Sequence, residues 1–90
     1  MFPDYLDGAK VLEYTEKRHF YFVTDYDEDS NPIEREICYF AIARYEKGGS
    51  FYLFSCDSTP EVFGDSPWDS PEECKDVISW LLEDTVWHKK

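Results

Sequence analysis

The loop from Asp25 to Ser30 has the acidic spacing most typical of a cation site. It contains Asp-Tyr-Asp-Glu-Asp-Ser, and Glu36 stands twelfth when Asp25 is counted as the first position. Carboxylates at alternating positions before a twelfth glutamate match the calcium loop of an EF-hand. However, Ser30 replaces the glycine of that loop's sharp turn, and Pro32 replaces its usual apolar residue. Because the flanks also have strand patterns, we interpret this segment as a solvated hairpin loop and predict no tight calcium binding.

The histidines and cysteines form no recognisable catalytic or zinc motif. The histidines are His19 and His88, and the cysteines are Cys38, Cys56 and Cys74. A catalytic cysteine needs a base within hydrogen-bonding reach, and zinc sites usually draw on ligands paired at short spacing. No such pair is present in the sequence, so we predict no metal ligand and no catalytic residue. The odd number and wide spacing of the cysteines predict free, buried thiols.

Two tryptophans near the end of the chain are the candidates for a binding site. On a helix, at about 100° per residue, Trp80 and Trp87 fall on one stripe opposite an apolar face. Large aromatic side chains among acids on an outward face are typical of a hot spot for a cationic protein. In the alternative, Phe2, Tyr5 and Leu6 fold over the helix and cover both tryptophans. The acids that flank the stripe are Glu73, Asp76, Glu83 and Asp84.

Periodicity and turn residues predict the elements that position these side chains. A helix is predicted from Pro71 to about Val86, because Ser70 is a suitable N-cap and Glu73 completes a capping box. Its buried face would carry Cys74, Val77, Ile78, Leu81 and Thr85. Strands are predicted at residues 9–14, 19–24, 35–45 and 51–56, and a further short strand at 61–64 would make a fifth.

The predicted fold is a single α+β domain over residues 1–90. An antiparallel meander of four or five strands packs one face against one C-terminal helix. The small side chains of Ala41 and Ala43 would let the helix approach the sheet closely. The sequence shows no internal repeat and no second domain.

Composition narrows the classes of partner. The chain has 20 Asp and Glu against 9 Lys and Arg, a formal net charge of −11, and 19% of its residues are aromatic. The aromatic side chains supply the apolar surface that disordered acidic chains lack. Nucleic acids and anionic membranes need clustered cations, so we expect neither as a partner. The N-terminus has no basic and apolar leader, so we predict a cytoplasmic location where thiols stay reduced.

Three segments resemble a family of small, acidic, uncharacterised bacterial proteins. The family shares the patterns K-V-L-E-Y-T, Y-L-F-x-C-D and W-x-x-S-x-E-E-A-K, and the corresponding segments here are residues 8–15, 51–57 and 68–75. This chain differs in having Cys74 where the family usually has alanine, and in its proline-rich loop at 57–71. The resemblance covers most of the chain in order. It implies an accessory or immunity-type role beside bacterial toxins, and it carries over no catalytic residue.

Two hypotheses of function follow. The first is a non-enzymatic, acidic protein-binding module, an immunity-type inhibitor that covers the basic active site of a nuclease-like toxin. The second is a stand-alone housekeeping or structural domain whose acidity serves only solubility. We rank an enzyme or a calcium-binding module below both, and we expect no cofactor. The sequence leaves the partner's identity and the oligomeric state open.

Overall fold

The computed structural model describes residues 2–90. Within them the chain is mostly antiparallel sheet with one short α-helix, which confirms the α+β class. The elements, in chain order, are β1 Tyr5–Leu6, β2 Ala9–Thr15, β3 Tyr21–Tyr26, β4 Pro32–Ile37, β5 Tyr39–Arg44, β6 Phe51–Cys56, β7 Val62–Trp68, α1 Pro71–Val77, the 3-10 helix Ser79–Leu81 and β8 Trp87–Lys89.

The main sheet differs from the predicted meander because a hairpin interrupts it. Its strand order is β1-β2-β5-β6-β7, with β8 also pairing with β2, and all pairs are antiparallel. From β5 to β7 each strand pairs with the next, as predicted. The β3–β4 hairpin falls between β2 and β5 in sequence and forms its own two-stranded sheet.

The predicted strand 35–45 divides at Cys38 into β4 and β5. The Cys38 N–H donates to the carbonyl oxygen of Cys56 at 2.8 Å, whereas the preceding residue, Ile37, pairs with Tyr21 of the hairpin. One apolar run therefore serves two sheets in succession. The continuous apolar pattern from Ile37 to Ala43 gave no sign of this change of partner.

The predicted helix from Pro71 to Val86 is correct at its start and wrong at its end. Ser70 Oγ accepts a hydrogen bond from the Glu73 N–H at 3.2 Å, which confirms the N-cap. The α-helix ends at Val77 and a 3-10 turn follows it. The chain then becomes β8, which pairs with β2 beyond the end of β1. Backbone partners on this open edge of β2 replace the further helical turns.

Two hydrophobic clusters occupy the two faces of the main sheet. Ala41 and Ala43 lie in the cluster with Phe2 and Leu6, not in the cluster with the helix. The predicted close approach of the helix to these alanines is therefore wrong, and the N-terminal segment covers them. The helix-side cluster contains Ile37, Phe40, Ile42, Leu53, Cys74, Ile78 and Leu82. The other contains Phe2, Leu6, Ala9, Val11, Ala41, Ala43, Phe54 and Cys56.

Candidate protein-binding surface

The 3-10 turn after the helix presents Trp80 to solvent. The side chains of Ile78 and Leu82 are buried under the sheet face, whereas Trp80 between them is 68% exposed. The Leu81 N–H donates to the Ile78 carbonyl at 2.9 Å, and the Leu82 N–H donates to the Ser79 carbonyl at 3.1 Å. The turn is thus anchored by its apolar flanks and closed by its own hydrogen bonds. This anchoring holds the indole outward.

Tyr21, at the start of β3, is the aromatic neighbour of Trp80. The two rings meet edge-on, with centroids 6.2 Å apart and planes at 84°. Tyr21 is itself exposed, so the pair leaves apolar and polar ring surface open to solvent. The sequence analysis did not select Tyr21. The available signal was the predicted strand at 19–24, which is aromatic on both of its faces.

Three of the four predicted acids lie near Trp80 in the chain with their carboxylates available. Asp76, Glu83 and Asp84 are exposed, and none of them forms an ion pair within residues 2–90. One cation borders the group, because the Arg18 guanidinium donates to the backbone carbonyl of Asp84 at 3.1 Å. We call Tyr21, Asp76, Trp80, Glu83 and Asp84 together the Trp80 surface.

Glu73 has a structural role that the prediction of a partner site did not include. Its carboxylate accepts a hydrogen bond from the Asp69 N–H at 2.8 Å, one residue before the Ser70 N-cap. The carboxylate thus caps the start of the helix, but through the N–H of Asp69 and not through that of Ser70, which the predicted capping box would use. Glu73 remains exposed, yet its side chain is held at the helix start by this bond.

Trp87 does not share a helical stripe with Trp80, because it opens strand β8 opposite Thr15 of β2. Its ring is half-buried and packs against the cluster beneath the helix. The Lys75 ammonium lies 5.6 Å from the ring centroid and 2.8 Å from Glu13 Oε1. These contacts tie the helix to β2 through Trp87. Trp87 therefore lies at the edge of the hydrophobic core. The predicted stripe of two tryptophans on one helix face is wrong.

The N-terminal residues do not cover Trp80. The Phe2 ring stacks on Tyr14 with centroids 4.5 Å apart, and Leu6 is buried in the same cluster. Both belong to the sheet face away from the helix, and Tyr5 is exposed. The intramolecular alternative that the sequence left open is thus not realised for Phe2 or Leu6.

The acidic loop is a hairpin turn, with β3 and β4 reaching further into it than predicted. Asp27 Oδ1 accepts hydrogen bonds from the N–H groups of Asp29 and Asn31, both at 2.9 Å. Ser30 has a φ of 65°, in the left-handed region. Glu36 lies on β4 opposite Phe22, well along the hairpin from the turn. The first and twelfth positions of the calcium-like pattern therefore do not enclose one loop.

The structure also brings together His19, Glu36 and Cys38, which the sequence did not pair. The His19 Nδ1 and the Cys38 thiol both contact Glu36 Oε1, at 2.9 Å and 3.4 Å. The hydrogen bond from His19 lowers the pKa of Glu36, so the carboxylate is the acceptor and Nδ1 the donor. Burial, together with Glu36, raises the pKa of the Cys38 thiol. A nucleophilic cysteine needs the opposite shift.

The chain matches no protein-family model, no curated protein and no solved structure. Among the elements of residues 2–90, no helix combines the length and apolar character needed to span a membrane. A functional assignment must therefore be argued from the geometry and charge of the chain itself.

Proposed function

We propose that this chain is a non-enzymatic, acidic protein-binding module whose partner is a basic protein. The observation that carries the proposal is the exposure of Trp80, at 68%, beside the open ring of Tyr21. The 3-10 turn and its buried flanks hold the backbone of Trp80 in place, and the β3–β4 pairing holds Tyr21, so the aromatic surface is already arranged for contact. Tryptophan and tyrosine are enriched among the few residues that supply most binding energy in protein interfaces.

Burial of the exposed Trp80 indole would supply much of the binding energy. A tryptophan that packs against a partner buries a large apolar surface and loses little side-chain entropy when its position is already fixed. Because Ile78 and Leu82 anchor the turn on both sides of Trp80, binding would not need to order it. The Trp80 surface therefore has the properties expected of an anchor that fills a pocket on a partner.

The negative charge of the chain indicates the kind of partner. The net charge is −11, and Asp76, Glu83 and Asp84, whose carboxylates form no ion pair within residues 2–90, lie within four residues of Trp80 in the chain. Complementary potentials accelerate encounter with a cationic protein and disfavour anionic ones. Screening shortens this attraction as ionic strength rises, so association should slow in high salt. A basic protein is the occupant that this chemistry fits.

In its finer form, the proposal is an immunity-type inhibitor of a nuclease-like toxin. A nuclease holds phosphate in a basic cleft, and an acidic protein that covers the cleft competes with the substrate for the same cations. The acidity of this chain and its resemblance to an immunity-like group support this form. The inhibitory role depends on partner binding, whereas partner binding does not depend on the inhibitory role.

The experiment is affinity capture with three immobilised baits: the wild-type chain, Trp80→Ala and Tyr26→Ala. Tyr26 is the matched control, since it is an aromatic residue 64% exposed on the hairpin, away from the Trp80 surface. We expect one basic protein to be retained by the wild type and Tyr26→Ala at low salt, released at high salt, and lost from Trp80→Ala. Equal retention by all three baits, or no basic protein at low salt, would contradict the proposal and favour a housekeeping domain whose acidity serves solubility.

A further inference from the structure

We propose that His19, Glu36 and Cys38 form a binding site for a divalent transition metal of the zinc class. One ligand atom from each side chain lies within 4.8 Å of the other two. An imidazole nitrogen, a carboxylate oxygen and a thiolate sulfur are all common zinc ligands. The set differs from a cluster of surface acids because it combines nitrogen and sulfur donors, which favour zinc over calcium or magnesium. This site is independent of the proposed partner surface.

The present spacing of the three groups is close to what a tetrahedral ion requires. Bond lengths of about 2.0–2.3 Å at tetrahedral angles place neighbouring ligand atoms about 3.4–3.6 Å apart. Glu36 Oε1 lies 2.9 Å from His19 Nδ1 and 3.4 Å from Cys38 Sγ. Small side-chain rotations that move the ligand atoms by a few tenths of an ångström to about one ångström would therefore make room for the ion. On binding, the metal replaces the two hydrogen bonds to Oε1. The Nδ1 proton of His19 is lost to solvent while Nε2 takes one up, so the imidazole stays neutral, and the thiol proton of Cys38 passes to solvent.

The backbone holds the ligands in register before any ion binds. The Arg18 N–H donates to the Cys38 carbonyl and the Phe20 N–H donates to the Ile37 carbonyl, both at 2.9 Å. His19 therefore sits between two hydrogen bonds to the segment that carries Cys38. The Cys38 N–H in turn bonds to the main sheet through Cys56 at 2.8 Å. A preformed ligand set of this kind loses little freedom on binding.

Solvent and ions can reach the site. The side chain of His19 is 77% exposed, and Glu36 and Cys38 line an open depression of about 330 Å³. Three protein ligands leave the fourth position of a tetrahedral site open. A zinc site with three protein ligands commonly holds water or a further ligand there. The arrangement thus has both an entry path and an open coordination position.

Both acidic and basic side chains surround the three ligands, and the acidic ones line the depression. Glu34 on β4 and Asp57 after β6 line it with Glu36. Arg35 lies in the same lining, but its guanidinium is directed to Asp25, 3.0 Å from Oδ2, and to Asp57 at 3.9 Å. Lys17, on the segment before β3, is the other nearby cation and is exposed. A divalent cation therefore meets one ligand carboxylate and two supporting ones.

The fold gives the metal a structural consequence. His19 precedes β3, Glu36 lies on β4, and Cys38 comes directly before β5. An ion bound by all three would join the β3–β4 hairpin to the main sheet. Because only the folded chain assembles these ligands, zinc should raise the melting temperature of the wild type.

The test is a zinc titration of the full chain by competition with a chromophoric chelator, followed by cobalt substitution. The ligand variants are His19→Ala, Glu36→Gln and Cys38→Ser. His88→Ala is the matched control for the imidazole, since His88 lies on β8 opposite Tyr14. The further control, Glu28→Gln, removes the same charge as Glu36→Gln from the exposed hairpin turn, outside the lining of the depression, and leaves the three ligands intact.

We expect the wild type to bind one zinc ion, and each ligand variant to lose at least about tenfold in affinity. The two control variants should stay within about twofold of the wild type. Cobalt should give a thiolate charge-transfer band that is absent in Cys38→Ser, and zinc should raise the melting temperature of the wild type but not of His19→Ala. His19 is exposed, so its variant should fold even if Cys38→Ser does not. Equal affinity of His19→Ala and wild type, or equal losses in the two glutamate variants, would overturn the proposal.

Discussion

The Tyr21 ring meets the Trp80 ring edge-on, with centroids 6.2 Å apart and planes at 84°. Tyr21 begins the β3–β4 hairpin, and Trp80 lies in the turn after the helix, whose flanking residues pack on the main sheet. The contact therefore joins the two-stranded hairpin to the helix side of the main sheet. Both rings remain exposed. The contact therefore orients an aromatic surface without burying it, so we expect the loss of either ring to have little effect on stability.

Trp80→Ala should leave the fold almost unchanged in stability. The indole is 68% exposed and its ring contact is an edge contact with an exposed tyrosine, so we expect a loss below about 1 kcal/mol. Chemical denaturation of the variant and of Tyr26→Ala would measure this. A loss of about 3 kcal/mol, as for a buried tryptophan, would show that Trp80 belongs to the core.

Trp87→Ala should be clearly more destabilising than Trp80→Ala. The Trp87 ring is half-buried against the helix-side cluster and lies beneath the Lys75 ammonium. We expect a loss of at least about 2 kcal/mol, somewhat below the 3–5 kcal/mol of a fully buried aromatic side chain. The same denaturation experiment compares the two tryptophans directly. Equal and small losses would mean that β8 is not docked as described.

Ser70→Ala should weaken the short helix at its start. The hydroxyl accepts the hydrogen bond from the Glu73 N–H, and its loss leaves that donor without its capping partner. We expect a cost of about 1 kcal/mol in the free energy of unfolding. Ser58→Ala, at an exposed serine, is the control and should be neutral. If both variants behaved alike, the cap would not contribute to stability.

Asp57→Asn should destabilise the chain at neutral pH and much less in acid. Burial raises the pKa of Asp57, but hydrogen bonds from Thr59 and from the Glu61 N–H outweigh it, so the pKa lies below its ordinary value of 3.8. The folded state therefore favours the carboxylate. The contribution of Asp57 to stability is therefore complete above about pH 3.8, the pKa expected in the unfolded chain. It declines as the pH falls through the lower pKa of the folded state.

The measurement for Asp57 is the difference in unfolding free energy between wild type and Asp57→Asn over the acid range. Taking the difference removes the general relief of charge repulsion that an acidic chain gains on protonation. Asp29→Asn, on the exposed hairpin turn, is the control for loss of one carboxylate. If the difference in unfolding free energy between wild type and Asp57→Asn stayed constant as the pH fell, the stabilising role of the ionised Asp57 carboxylate would be contradicted.

Local pattern predicted part of this fold and could not predict its long-range choices. The strand at residues 51–56 and the Ser70 cap were found because an aromatic run after a glycine-containing turn, and a helix cap, are properties of neighbouring residues. The end of the helix was not, because the apolar spacing of Ile78 and Leu81 suits either a longer helix or a 3-10 turn. The open edge of β2 decides where the helix ends, because Trp87 pairs with it as the first residue of β8.

The Trp80 surface and the group of His19, Glu36 and Cys38 also depend partly on local sequence and partly on tertiary structure. The exposure of Trp80 could be expected from its place opposite an apolar face, although the reasoning assumed a continuous helix. Tyr21 and the grouping of His19 with Cys38 depend on where the hairpin docks, and no sequence spacing encodes that position. The sequence therefore indicated Trp80, whereas only the tertiary structure showed that Tyr21 lies beside it.

The most direct test of the central claim is a calorimetric titration of the purified basic protein from the capture experiment into wild type, Trp80→Ala and Tyr26→Ala. We expect Trp80→Ala to lose at least about 2 kcal/mol of binding free energy, or about thirtyfold in affinity, as a hot spot does. Tyr26→Ala should bind as the wild type does, and the wild-type affinity should fall with rising salt. Equal affinities for all three proteins would show that the Trp80 surface is not the partner site.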